Sequence, residues 1–348
     1  MFSVLIAPPC MIPLHMSMAS ETLTPGVHPL TDCHPSTDSF RSDVLHGLQQ
    51  SPKQLPSKYL YDERGSQLFD AICELDAYYP TRTEMSIMQT HRAAIAAEVG
   101  TQTAVVEYGS GSSTKTRILL EALDDVAAYV PVDIAREHLQ DAAKRIADTF
   151  PALPVYPVCA DYNADVPIPI PAGHYTRVLA YYPGSTIGNF QREDARAFLE
   201  RMATLVGPNG AVLIGVDLKK DPDRLRHAYN DPEGITAAFN KNVLRRINRE
   251  LGADFQLDRF RHEGRWVPEH GRIEMHLVST EAHSVHIGEE TISFERGESI
   301  CTEYSHKYTI EESATLAAEA GLSVQTVWTD PERLFSVQYA VPHPKKEA

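Results

Sequence analysis

The chain has 348 residues, 43% of them hydrophobic, and carries 47 acidic against 32 basic side chains for a net charge of −15. That size and apolar content support one large core or two modest ones, whereas the acidic balance excludes an extended electrostatic footprint for nucleic acid or anionic lipid and leaves small-molecule chemistry as the default. Five scattered cysteines (Cys10, Cys33, Cys73, Cys159 and Cys301), with no CxxC pair, fit the reduced thiols of a cytoplasmic protein better than a disulfide framework, and no apolar run is long enough to span a bilayer.

Residues 1–14 are apolar but lack the basic flank of a secretory signal, and Met11, Met16 and Met18 leave an internal start open. The stretch 22–38 is rich in Thr, Pro, Ser and His without periodicity, so residues 1–39 read as a flexible N-terminal arm, with order beginning near Phe40. Helices are predicted over 43–50, 65–75 and 83–98, the last following an extended Tyr78-Tyr79-Pro80. Strands and helices then alternate: strand 104–108, helix 113–123, strand 128–131, helix 135–149, strands 155–158 and 176–182, helix 192–205, strand 211–216. Such alternation implies right-handed crossovers and a parallel, doubly wound sheet.

The pattern breaks at 221–305, where an amphipathic helix over 235–251 precedes strands at 273–279, 284–287 and 291–294 that fit no crossover. This segment reads as an insertion covering the carboxyl edge of the sheet. The parent pattern resumes with helix 310–320 and strands 322–328 and 335–341, which the short turn at Asp330-Pro331 forces to be antiparallel.

The strand Val105-Val106-Glu107-Tyr108 runs into Gly109-Ser110-Gly111-Ser112-Ser113, a cradle type shared by dinucleotide enzymes, S-adenosylmethionine enzymes and turns without ligand. The third glycine of the dinucleotide fingerprint is replaced by Ser112, Ser113 and Thr114, which disfavours a pyrophosphate. Asp133, after the second strand, sits where a ribose diol would lie and is otherwise a helix cap. Asp161-Tyr162 offers an acceptor and a ring for an adenine or is an ordinary turn, and Lys115 reaches a cofactor carboxylate or is a solvated lysine. In Tyr181-Tyr182-Pro183-Gly184-Ser185-Thr186-Ile187-Gly188-Asn189-Phe190, two glycines admit close backbone approach, and Asn189 supplies an uncharged donor and acceptor. Fifteen histidines show no HExxH, and His262, His270, His276, His283, His286 and His306 match no zinc spacing; no G-x-S-x-G follows a strand.

Taken together, Tyr59-Leu60-Tyr61-Asp62-Glu63-Arg64-Gly65-Ser66, Tyr78-Tyr79-Pro80-Thr81-Arg82-Thr83-Glu84, the glycine turn, Gly184-Ser185-Thr186-Ile187-Gly188-Asn189-Phe190, Ala228-Tyr229-Asn230-Asp231 and Thr302-Glu303-Tyr304-Ser305-His306-Lys307-Tyr308 resemble the L-histidine Nα-methyltransferases of ergothioneine biosynthesis, over roughly 51–342. The resemblance implies an α/β fold: a Rossmann-like class I S-adenosylmethionine-dependent methyltransferase domain (84–219 and 308–342) with an inserted α+β substrate-binding domain (40–83 and 220–307). It implies trimethylation of the histidine α-amine to hercynine, with S-adenosyl-L-methionine as donor, no metal, and a monomer with no nucleic-acid or membrane partner. Gly109, Lys115, Asp133, Asp161 and Tyr162 become cofactor contacts. Asn189 and Tyr229 become the clamp on the amino acid's amine and carboxylate, with Tyr61 and Tyr78 lining the pocket, and Glu303 and Ser305 hold the imidazole beside Met275. The alternatives are a relative that methylates another amino acid such as tryptophan, an S-adenosylmethionine-binding protein without turnover, and a dinucleotide oxidoreductase.

Overall fold

The computed structural model describes residues 23–33, 37–111, 113–161, 166–171 and 173–344, and its fold is organised around Thr103–Tyr108, a strand buried at every position. A strand with no solvent face must be covered on both sides, the condition of a parallel sheet between helical layers. In chain order the elements are β1 (Gly26–Val27), β2 (Thr31–Cys33), α1 (Thr37–Gln49), β3 (Lys53–Gln54), α2 (Glu63–Cys73), α3 (Tyr79–Val99), β4 (Thr103–Tyr108), α4 (Thr114–Ala122), β5 (Val126–Asp133), α5 (Arg136–Thr149), β6 (Pro154–Val155), β7 (Val158–Ala160) and β8 (Arg177–Tyr182). They continue with α6 (Arg192–Val206), β9 (Ala211–Asp217), α7 (Pro222–Ala228), α8 (Ile235–Leu251), β10 (Phe260–Val267), β11 (Arg272–Ser279), β12 (His283–Ile287), β13 (Glu290–Phe294), β14 (Ser299–His306), α9 (Ile310–Glu319), β15 (Leu322–Thr329) and β16 (Phe335–Pro342).

The main sheet has the order β1-β6-β5-β4-β8-β9-β16-β15, with β7 also pairing β5 and carrying β2 on its other side. β4 is parallel to β5 and β8, and β8 to β9. β16 runs antiparallel to both β9 and β15, so the reversed strand read from the short terminal turn is present. Alternation along β4 sends Val106 into a cluster with Val130, Phe198 and Met202 on one face, and Val105 into a cluster with Tyr129, Ile146 and Phe335 on the other.

A second sheet, β10-β11-β14-β3, and the ribbon β12-β13 come mainly from the inserted segment. α8 presents Phe239, Val243 and Ile247 at helical spacing to an apolar cluster with Leu68 and Ile72 of α2 and Ile273, Leu277 and Ile300 of the second sheet. Among the described residues no helix is long and apolar enough to cross a membrane.

Several expectations are corrected. Residues 26–33 are not a flexible arm: β1 pairs β6 and β2 pairs β7 in parallel, Thr31 N–H donates to the Pro157 carbonyl at 3.0 Å, and His28 stacks on Tyr156 at 3.9 Å. Backbone pairing at a sheet edge needs no hydrophobic periodicity, which is why a polar sequence concealed it; residues 1–22 and 34–36 lie outside the described residues. Tyr79-Pro80 is not extended but opens α3, because in a first helical turn the missing proline N–H would have had no partner anyway. The single strand expected over 155–158 is split into β6 and β7 around Tyr156-Pro157, where proline cannot donate to the ladder. Strands β10 and β14 were not foreseen.

β14 reaches the carboxyl edge of the main sheet because Gly188, in the 3₁₀ turn Thr186–Asn189, has no side chain: a Cβ there would lie 2.7 Å from the His306 carbonyl oxygen. Backbone cannot give way as a flexible side chain would, so Gly188→Ala is expected to cost about 1–3 kcal/mol of stability, measured as a lower midpoint of thermal unfolding.

Candidate active site

Two adjoining concavities lie outside the carboxyl ends of the parallel strands, where open α/β sheets bind ligands. The larger, about 500 Å³, is lined by Gly109 and Gly111 after β4, Asp133 at the end of β5, Asp161 after β7 and Asn189 after β8, with Phe69 and Asp70 of α2 and Glu303 of β14 completing it. The smaller, about 40 Å³, shares Tyr61, Phe69, Asn189 and Glu303 with the first and adds Tyr78, Tyr229, Met275 and Ser305.

The glycine turn is a built cradle. Gly109 and Gly111 have φ of 76° and 43° and Ser113 of 63°; a Cβ on Gly109 would meet nothing within 4 Å, so glycine is needed there for its backbone angle rather than for space. Gly109 N–H donates to the Val132 carbonyl at 2.8 Å, locking the turn to β5. The buried hydroxyls of Ser110 and Ser113 have no partner within the described protein. Buried hydroxyls are ordinarily paired, so the turn keeps spare polar capacity of the kind a polar ligand satisfies. Glu107 is turned away from the cavity into the core, where it accepts from Thr116 at 2.7 and 2.8 Å and from Tyr129, and burial lifts its carboxyl to about 8.

Asp133 is not the cap of α5, whose N-cap position is Ala135; it accepts the Ala135 N–H at 2.9 Å while lining the cavity. Burial raises its carboxyl above the usual range against the pull of that bond. Asp161 accepts from Lys58 at 3.0 Å, and Tyr162 lies outside the described residues. Lys115 does not enter the cavity. Its ammonium bonds Glu84 at 2.7 Å and stands 3.2 Å from the place of a Cβ on Gly184. Glu84, fully buried, also accepts the Gly184 N–H at 2.9 Å, so one carboxylate ties α3 and α4 to the turn after β8.

In the recess Glu303 accepts from Tyr61 at 3.2 Å and from the Asn189 amide at 3.1 Å. Burial pushes its carboxyl up to about 7, with those two donors and the charge of Lys307 opposing. Met275 faces Glu303 in register across β11 and β14. The Tyr229 hydroxyl lies 2.7 Å from Ser305 Oγ, and the Tyr78 ring packs edge-on against Tyr229 with centroids 6.1 Å apart. The fold thus gathers Tyr61, Tyr78, Asn189, Tyr229, Met275, Glu303 and Ser305 at one recess and Gly109, Asp133 and Asp161 at the neighbouring cavity, with Lys115 behind Gly184.

A sequence model of the family described as histidine-specific, S-adenosylmethionine-dependent methyltransferases matches residues 40–342. The chain belongs to this family. The histidine N-alpha-methyltransferase of Mycolicibacterium smegmatis is 42% identical over 312 residues, 88% of this chain and 96% of that protein. The enzyme of the same name from Mycobacterium tuberculosis is 40% identical over 307 residues, 87% and 94% respectively. Ergothioneine biosynthesis protein 1 of Neurospora crassa is 35% identical over 288 residues, 81% of this chain but 32% of that longer protein. This histidine-specific methyltransferase therefore uses S-adenosylmethionine on a small-molecule substrate, histidine, from a Rossmann-like α/β fold.

The sequence reading missed Glu84, Asp217, Lys220 and Lys307, which hold the walls of the recess. Lys307 had a visible signal, since Glu303, Ser305 and Lys307 recur with the strand period of two. Among the described residues one group has metal-ligand chemistry, Glu274, His276 and Cys301, all buried or half-buried. Those atoms have partners: Glu274 accepts from Arg272 at 2.5 Å and pairs with His276 at 3.0 Å, and His276 meets Ser299 at 3.1 Å.

Glu303 leaves a measurable mark on stability. In the unfolded chain it ionises near 4.5, whereas in the fold it keeps its proton to about 7. The folded state binds the extra proton between those values, so stability falls as pH rises through that window, by about 3 kcal/mol in all. Glu303→Gln, which retains an acceptor oxygen for Tyr61 and Asn189, is expected to raise the thermal midpoint relative to the parent enzyme at pH 8 and to leave it little changed below pH 5.

Proposed function

We propose that this enzyme transfers three methyl groups in succession from S-adenosylmethionine to the α-amine of L-histidine, giving hercynine, the first step of ergothioneine biosynthesis. The observation that carries the reading is the recess itself, in which one buried carboxylate, Glu303, stands within hydrogen-bond distance of both Tyr61 and Asn189, with Ser305 and Met275 alongside. A buried carboxylate that costs stability is retained where it meets a ligand donor. In this reading Glu303 and Ser305 take the imidazole, Met275 packs on the ring, and Asn189 and Tyr229 hold the amine and carboxylate. The division of labour follows the chain: 84–219 and 308–342 form the methyltransferase domain, while 40–83 and 220–307 form the substrate domain. A cytoplasmic monomer with no nucleic-acid or membrane partner is the accompanying expectation.

The glycine cradle, its unpartnered serine hydroxyls and the acids at the strand ends fit the donor. Gly109, Asp133 and Asp161 would hold it, Asp133 accepting from the ribose hydroxyls, while Lys115, tied to Glu84, supports the turn at Gly184 from behind. When bound, S-adenosylmethionine supplies an electrophilic methyl on a sulfonium. The protein's share is to present an uncharged amine in line with that methyl, and positioning of this kind accounts for most of the acceleration without a metal or covalent nucleophile. Burial beside the Phe69, Phe239 and Tyr78 rings disfavours an ammonium, so the recess selects the neutral amine. Asn189, neutral and pinned by Glu303, orients it without competing for its proton.

Two measurements test the assignment. Incubation with S-adenosylmethionine and each of the twenty amino acids, followed by mass spectrometry, is expected to show up to three successive methyl gains on histidine alone; gains on tryptophan instead would overturn the substrate. By calorimetry, Glu303→Ala is expected to weaken histidine binding by roughly one to two orders of magnitude, the worth of a charge-assisted hydrogen bond of about 1.5–3 kcal/mol, with cofactor binding intact. Asp133→Ala should do the reverse.

A further inference from the structure

Lys307 follows β14 and is 2% exposed, yet nothing in the chemistry above uses it. Its ammonium has three hydrogens and meets three acceptors: Asp217 Oδ2 at 2.8 Å, Ser305 Oγ at 2.7 Å and the Tyr229 hydroxyl at 3.0 Å. Asp217, at the end of β9, also accepts from the Tyr79 hydroxyl at 2.8 Å and pairs with Lys220 at 2.5 Å. One buried carboxylate therefore faces two lysines, which leaves a surplus positive charge behind Tyr229 and Ser305. Burial lowers the Lys220 ammonium to about 8, which keeps it mostly charged at neutral pH, and burial notwithstanding, the two lysines hold Asp217 below its usual range. Glu303 is the acid facing Lys307 from the recess side.

Hydrogen-bond bookkeeping gives the network a direction. Both hydroxyl oxygens accept from Lys307, so their own hydrogens turn away from it. The contact between Tyr229 and Ser305 uses one of these hydrogens, and the other is left for the recess. A hydroxyl hydrogen backed by a positive charge suits an anion, and an amino acid carries one in its carboxylate.

We propose that Lys307 is a positioning residue that holds Tyr229 and Ser305 as donors and seats the α-carboxylate of the amino acid against Tyr229. The proposal rests on the histidine reading of the recess. Lys307 touches no substrate itself and acts through the two hydroxyls, fixing which end of the amino acid lies at Tyr229 and which at Glu303.

The test compares kcat/KM for L-histidine with that for L-histidinamide, which keeps the amine and imidazole but lacks the carboxylate, by following S-adenosylhomocysteine release. The decisive protein is Lys307→Met, in which Asp217 keeps Lys220 and the Tyr79 hydroxyl as partners, so that no buried charge is left unpaired. In that variant, kcat/KM for histidine is expected to fall at least tenfold, mainly through KM, with histidinamide changed less than threefold and S-adenosylhomocysteine affinity retained. Equal losses on both substrates, or no loss on histidine, would show a purely structural lysine and overturn the proposal. An unsubstituted enzyme that does not methylate histidine would overturn the substrate reading as well, a failure visible before any variant is made.

Discussion

The carboxylate of Asp217 is fully buried at the last residue of β9, and an ion in that position costs several kcal/mol unless its partners surround it. Each partner arrives from a different part of the chain: Tyr79 from the start of α3, Lys220 from the loop after β9, Lys307 from the end of β14. Satisfying one charge therefore fixes how the second sheet meets the main one. The close approach at Gly188 does the same for the backbone, bringing the 3₁₀ turn with Asn189 against β14. Apolar clusters hold each sheet's own core together, but burial is non-directional, and it is the ionic and steric contacts between the sheets that set the recess to within a hydrogen bond.

Much of this was legible in the sequence, and each failure has a physical cause. The strands β4, β5, β8 and β9 are near-continuous apolar runs, which only a strand covered on both faces needs, and the turn at Asp330-Pro331 forced the antiparallel end. β14 escaped notice because its inward positions Glu303 and Ser305 are polar: they face a ligand recess instead of a core, so the period of two carries no hydrophobic contrast. β1 and β2 escaped because their stabilisation is main-chain pairing. Within the site, the residues that meet a cavity were readable by motif, whereas Glu84 and Asp217 were not, since their importance lies in partners more than thirty residues away in the chain, Lys115 in one case and Tyr79 and Lys307 in the other.

Glu303 and Lys307 show two opposite ways of keeping a charge indoors. Glu303 has neutral donors, Tyr61 and Asn189, and its carboxyl stays half protonated near neutrality. Lys307 has a carboxylate, and its ammonium is held firmly charged against the effect of burial. In the proposed reading, one adjustable and one fixed charge would discriminate between the two ends of the amino acid: the adjustable end can share a proton with a ring that titrates in the same range, and the fixed end cannot.

The two short strands that precede α1 carry a further consequence. β2 lies along β7, and β7 ends one residue before Asp161, so the outer flank of the main sheet and the mouth of the larger cavity share a single piece of backbone. An uncovered flank there would present a row of unsatisfied peptide groups to any passing chain. A two- or three-residue strip closes it while offering almost no edge of its own. The same segment thereby links protection against self-association to the order of the cofactor side of the site, and a protein that loses one is poised to lose the other.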